Sequence, residues 1–164
     1  MLLRSIEHVY LAYSGGTPLV HLSRFEPEDA DPDLIASMFA AIQSFMDDSF
    51  HSLGIGAVRS IEMEKHQHVA FGRGRYALLY VLYRGFESNH LERKVETTVR
   101  DIERQFERIL RDWDGDMDKI RPLAEFLKHR FGVDADLHLH PQPKPAPAES
   151  WEAQPGTPAR RRRG

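Results

Sequence analysis

The sequence predicts an α/β domain of the α+β kind: a five-stranded antiparallel sheet flanked by three helices, in the order β-β-α-β-β-β-α-α. Three observations carry that expectation. Two short apolar runs, IEHVYLAY and LVHLSRF, flank Ser14-Gly15-Gly16, the pattern of a hairpin. A solid apolar run, YALLYVLY, reads as a strand buried on both faces. Three further stretches repeat apolar residues at helical spacing.

The first strand spans Ile6 to Tyr13, apolar on both faces and therefore central. The second spans Leu19 to Phe25, is more polar and belongs nearer an edge. Pro27 to Asp31 is a loop. The first helix then starts on Asp31 as cap and Pro32, which suits a first turn where no amide donor is needed. Leu34, Ile35, Met38, Phe39, Ile42, Phe45 and Met46 fall on one broad arc, its core side. Gly54 and Gly56 punctuate the exit.

A third strand is expected from Ile55 to Lys65 and a fourth from His68 to Phe71. Gly72-Arg73-Gly74 turns into the fifth, Tyr76 to Tyr83. The second helix runs from Leu91 to Trp113, with a narrow stripe of Leu91, Val95, Val99, Ile102, Phe106, Ile109, Leu110 and Trp113. Glu96–Arg100 and Glu107–Arg111 have the favourable i,i+4 order, each worth only ~0.2–0.5 kcal/mol. Asp114-Gly115-Asp116 ends it, and a third helix follows from Met117 to Phe131, with Gly132 as its stop.

At 164 residues the chain holds one domain, or one domain and a tail. The division falls at Gly132. Residues 133–164 carry six of the ten prolines and too little apolar surface to offset chain entropy, so they read as a disordered, proline-rich tail. That tail ends in an arginine cluster, Arg160, Arg161, Arg162 and Arg163. The folded part, 1–132, carries a net charge of -4 against +1 for the tail, within the whole chain's -3. Such a balance gives no long-range pull toward nucleic acid, and the arginine cluster is an auxiliary basic contact at most.

No run reaches the ~18 apolar residues that would span a bilayer. The opening residues alternate rather than form an apolar block, so a signal peptide is not expected. There is no cysteine, which excludes disulfides, a thiolate zinc site and a cysteine nucleophile. The chain is expected to be cytoplasmic.

The chemistry-bearing motifs are weak. His66 and His68, and His138 and His140, are two apart, but zinc normally takes three or four ligands and neither pair has companions in sequence. No metal and no cofactor is therefore expected. Gly72-Arg73-Gly74-Arg75 lacks the P-loop pattern and sits between strands rather than before a helix. The Asp112, Asp114 and Asp116 series lacks the glycine and glutamate of a calcium loop. No catalytic residue emerges.

The first helix is the informative element. From Leu34 to Met46 it has no charge, and the side away from the core arc holds Ala36, Ser37, Ala40, Gln43 and Ser44. The second helix fills its own outer side with Arg, Lys and Glu. Depletion of charge marks the core of an interface, so these five residues are the candidate partner-binding surface. Cover by the third helix or the tail, or small residues chosen as helix formers, would explain the same composition.

The element order resembles the longin fold. DPDLIASMFAAIQSFMDDSF is similar to the first helix, and FERILRDWDGDMDKIRPLAEFLKHRF to the paired C-terminal helices, of longin and roadblock-related proteins of prokaryotes. Roadblock domains usually begin with a helix, and this chain begins with a strand. The resemblance covers residues 1–132 and implies one helix on one face of the sheet and two on the other. It implies a non-enzymatic interaction platform, forming a homodimer or pairing with a related longin or roadblock protein, that binds or regulates a small Ras-like GTPase. The alternative is a small-molecule sensor with a pocket between sheet and helix, lined by Tyr10, Tyr76, Tyr80 and Tyr83.

Overall fold

The computed structural model describes residues 5–14, 16–24, 38, 39, 41, 42, 44, 45, 48, 54, 58–86, 88–132 and 138–140. The strands are β1 (Ser5–Tyr13), β2 (Pro18–Ser23), β3 (Ser60–Met63), β4 (Gln67–Arg73), β5 (Ala77–Arg84) and β6 (His138–His140). They form one sheet in the order β3-β4-β5-β1-β2-β6, and every neighbouring pair is antiparallel. The five expected strands are present, and β1 and β5 lie side by side at the centre.

Short turns set this register. Gly16 takes φ 94, and its amide donates to Tyr13 O at 2.7 Å, closing the β1–β2 turn. Between β3 and β4 the turn is made by Lys65 (φ 60) and His66 (φ 57), two side-chain-bearing residues in the left-handed region. This turn and the irregular backbone at Val58 and Arg59 confine β3 to Ser60–Met63, within the longer span the sequence predicts.

Two findings differ from the sequence reading of β2. His21 and Ser23, the polar residues that pointed to an edge, are 5% and 2% exposed. The edge beyond β2 is taken by β6, which pairs Leu139 with Leu22. The sequence assigns residues 138–140 to the tail; their backbone adds a sixth strand to the sheet.

One face of the sheet is closed by two helices. The long helix, Asn89–Arg111, begins where Ser88 Oγ accepts the Leu91 amide at 3.1 Å. Its stripe of Leu91, Val95, Val99, Ile102 and Leu110 is buried against Val9, Leu11, Leu79, Val81 and Tyr83. Each fully buried side chain of this kind contributes about 1.5–3 kcal/mol, against about 0.3–0.5 for an exposed i,i+4 ion pair. The stripe therefore holds the helix down. Of the two expected pairs, Glu96–Arg100 stands at 4.0 Å, while Arg111 turns to Asp112 at 3.1 Å. Phe106, Ile109 and Trp113 are only partly buried.

The expected third helix divides in two. Met117–Ile120 is a 3-10 turn capped by Asp116, which accepts the Asp118 amide at 3.0 Å. The α-helix proper is Arg121–Phe131, with Pro122 in its first turn, where a missing amide hydrogen costs nothing. Arg130 clamps this C-terminal helix to the long one, donating to Asp101 at 2.7 Å and to Thr98 Oγ1 at 3.3 Å. Phe126 meets Phe106 edge-on at 5.8 Å.

The opposite face carries a second cluster: Tyr10, Ala12, Val69, Phe71, Leu78 and Tyr80, with Phe39 and, partly buried, Ile42 from the first helix. One helix on one face and two on the other is the layering the resemblance implies. No helix among the described residues is long and apolar enough to cross a membrane.

Candidate interaction surface

The first helix is described at Met38, Phe39, Ala41, Ile42, Ser44, Phe45 and Asp48, all helical. Phe39 is its anchor. It is 6% exposed, and its ring lies 5.6 Å from Tyr80 and 6.2 Å, edge-on, from Phe71. Ile42, three residues on, packs beside it. These spacings press one narrow side of the helix onto the sheet.

The other side is open and partly apolar. Met38 is 48% exposed and Phe45 72% exposed, and Ala41, Ser44 and Asp48 are exposed as well. Met38, Ala41, Phe45 and Asp48 recur at intervals of three, four and three, so they share one face of the helix. The sequence places Met38 and Phe45 in the core arc; the structure puts them outside it. Periodicity gives the direction of an apolar arc but not its width, and the sheet takes only the side holding Phe39 and Ile42.

Of the five expected partner-binding residues, Ser44 is exposed and helical. Ala36, Ser37, Ala40 and Gln43 lie outside the described residues, as do Arg160, Arg161, Arg162 and Arg163.

The sensor alternative meets a geometric obstacle. Tyr10 and Tyr80 belong to the first-helix face, while Tyr83 and Tyr76 pack with the two-helix core on the other. The four rings do not line one pocket. Burial pushes the Tyr10 and Tyr80 phenols well above their ordinary value, opposed at Tyr80 by the weaker pull of Arg73, so both stay protonated. Burial also lowers the Lys94 ammonium from its usual value, with repulsion from Arg130 second.

The weak motifs resolve as structure. Gly74 lies in the β4–β5 turn, whose ends are joined by its amide donating to Ala77 O at 2.9 Å. Asp114 receives Lys119 at 2.6 Å, and that hydrogen bond holds the Asp114 carboxyl below the ordinary carboxylate range. His66 is exposed on its turn, whereas His68 is buried, stacked on Tyr83 at 5.1 Å and bonded to Gly85 O at 2.9 Å.

Sequence reasoning passed over an aromatic group on β1 and β2. Tyr10 and His21 stack at 4.3 Å, and His8 Nδ1 lies 3.3 Å from His21 Nε2. The signal was present in the alternation of His8 with Tyr10 and in the turn that sets His21 across from Tyr10.

No family model matches the chain, and no curated protein does. Among solved structures it is similar to Myxococcus xanthus MglB, at 18% identity and TM-score 0.48, over 63% of this chain and 85% of that one. It is similar to the gliding protein MglB of Thermus thermophilus, at 14% identity and TM-score 0.41, over 74% of this chain and 79% of that one. An MglB in a tetrameric arrangement is similar at 15% identity and TM-score 0.43, over 76% of this chain and 79% of that one. The chain's own strand order and its one-and-two placement of helices make the fold longin-like.

Proposed function

We propose that the chain is a non-enzymatic, cytoplasmic protein-interaction module that pairs with itself or with a related longin-like chain and regulates a small Ras-like GTPase. The observation that carries the pairing is the exposure of Met38 and Phe45 on a helix already anchored by Phe39. A helix that needed only to cover the sheet would put water-seeking residues at those positions. The same helix supplies the contact residues Ala36, Ser37, Ala40, Gln43 and Ser44, whose small, uncharged side chains let a second backbone approach closely. A two-fold arrangement, helix against helix, satisfies both copies at once. Support for the GTPase comes from the sequence resemblance to longin and roadblock-related domains. In this reading residues 1–132 are the module, residues 133–164 are its tail, and Arg160–Arg163 add an auxiliary basic contact.

Sedimentation equilibrium of the wild type and of Ala40→Arg tests the pairing. A concentration-dependent dimer that the variant loses, with its circular dichroism unchanged, supports the surface; a variant that assembles like the wild type removes it. Affinity capture with a GTP analogue and with GDP tests the second half. A small GTPase enriched in one nucleotide state supports regulation, and none in either state ends that part of the reading.

A further inference from the structure

The long helix sorts its charges by direction. Arg93, Thr97, Arg100, Arg104, Arg108 and Arg111 recur at intervals of four, three, four, four and three, so they form one row, and all six are exposed. The row lies opposite the stripe of Leu91, Val95, Val99 and Ile102 that meets the sheet. The side chains of Arg100 and Arg104 are 76% and 77% exposed. From Arg93 to Arg104 the row runs for about 16 Å, at about 1.5 Å per residue. At Phe106 the backbone leaves helical values (φ -118, ψ 21), and Arg108 and Arg111 continue the row beyond that break.

The acids of the same helix stand on its flanks and are used by the fold. On one flank Glu92 accepts Ser60 Oγ at 2.6 Å, Glu96 meets Arg59 at 3.4 Å and Glu103 holds the β4–β5 turn. On the other, Asp101 receives Arg130 of the C-terminal helix at 2.7 Å. These four are half-buried; of the helix's five acids, Glu107 alone is exposed. The arginines keep only weak or shared internal partners. Arg100 stands 4.0 Å from Glu96, and Arg104 shares Asp101 with Arg130. Arg93 and Arg108 form no ion pair among the described residues.

Six basic and five acidic residues nearly cancel over the helix as a whole. With a Debye length of about 8–10 Å, the row therefore acts on what touches it and not from afar. Guanidinium groups meet phosphate with paired N–H donors. The shape of the row decides which phosphates. The two strands that wall a nucleic-acid groove would press against the flank acids Glu92, Glu96 and Asp101, whereas a flat surface meets the row alone. A protein partner would want an apolar centre to bury, and the row has none.

We propose that the outer row of the long helix binds the surface of an anionic phospholipid bilayer, its arginines on headgroup phosphates and no segment inserted. The row and the first helix lie on opposite faces of the sheet, so the two surfaces act independently.

The test is co-sedimentation of the untagged full-length chain with vesicles of phosphatidylcholine and phosphatidylserine in a two-to-one ratio, and of phosphatidylcholine alone. The chain should bind the anionic vesicles only, and high salt should release it. Each arginine at an anionic surface strengthens binding about fivefold, so Arg93→Gln, Arg100→Gln and Arg104→Gln together should weaken it at least tenfold. All three side chains are exposed, and an unchanged circular dichroism spectrum checks the fold. Lys65→Gln, Arg73→Gln and Arg121→Gln change the net charge equally at exposed positions off the row, and this variant should stay within about threefold of wild type. Failure of the wild type to bind anionic vesicles overturns the proposal. So does a row variant that binds as wild type while replacing Arg160–Arg163 by glutamine abolishes binding, which would give the contact to the tail. Tighter binding of a fluorescent duplex DNA than of the vesicles, lost in the row variant, would assign the row to nucleic acid and overturn it too.

Discussion

Glu103, on the long helix, accepts the backbone amide of Tyr76 at 2.6 Å and that of Ala77 at 3.2 Å. One carboxylate thus caps the β4–β5 turn from an element 26 residues away in sequence. Gly74 gives it room, since a Cβ there would collide with the Glu103 carboxylate. Hydrogen bonds to a charged group contribute about 1.5–3 kcal/mol, less where solvent reaches them. Glu103→Ala should therefore lower the stability by about 1–2 kcal/mol, and Gly74→Ala by a similar amount through displacing the same carboxylate. The double variant should cost no more than either alone. Urea denaturation of the four proteins checks this, and additive losses would separate Gly74 from Glu103.

Gly72 marks the close approach of the long helix to β4. A Cβ there would stand 2.8 Å from Val99 Cγ2, 2.9 Å from Val95 Cγ1 and 3.0 Å from the Val95 carbonyl oxygen. The backbone oxygen cannot move without moving the helix. Gly72→Ala should cost about 1–3 kcal/mol by overpacking. Val95→Ala in the same chain should recover part of the loss, read as a rise in the urea midpoint.

Glu7 is buried, 5% exposed, and its carboxylate is met by Arg84 Nε at 2.8 Å and Gln67 Nε2 at 3.0 Å. Arg84 is 47% exposed, so the pair itself is partly screened. Removing the arginine leaves an under-satisfied buried acceptor, a loss of about 1–3 kcal/mol. Arg84→Met should be destabilised in that range, and Glu7→Gln with Arg84→Met should regain part of it. Thermal melts of the three proteins decide the order.

Phe45 and Met38 should matter to assembly and not to folding. Phe45→Glu removes an exposed aromatic, so its thermal midpoint should stay within a few degrees of wild type, since surface changes usually stay within about 0.5 kcal/mol. Its self-association constant should fall at least tenfold by sedimentation. Phe39→Ala, which empties a ring-lined site beside Phe71 and Tyr80, should instead cost about 3–5 kcal/mol. If Phe45→Glu unfolds the chain, Phe45 belongs to the core and the surface is misplaced.

What was legible in the sequence followed from local chemistry. Glycines at the hairpin turns, the solid apolar run of β5 and the 3.6-residue stripe of the long helix each fix an element without help from the rest of the chain. What was not legible depends on neighbours. His138–His140 is three residues just ahead of a proline-rich run, and it is a strand by pairing with the edge that β2 offers. Met38 and Phe45 fit an apolar arc whose rim cannot be drawn until the sheet has chosen Phe39. The meeting of His8 with His21 appears only once the register is known, because no motif joins residues 13 apart.

The turn at Lys65 and His66 has a consequence for how the fold breathes. Two non-glycine residues in the left-handed region store about 1–3 kcal/mol each, and the four-residue strand they lead out of has one neighbour among the described strands. Cooperative openings begin where local stability is least. Amide exchange should therefore advance from Ile61 through Val69 toward Val81, so that the sheet unzips from its β3 margin while the centre, held under the long helix, is the last to exchange.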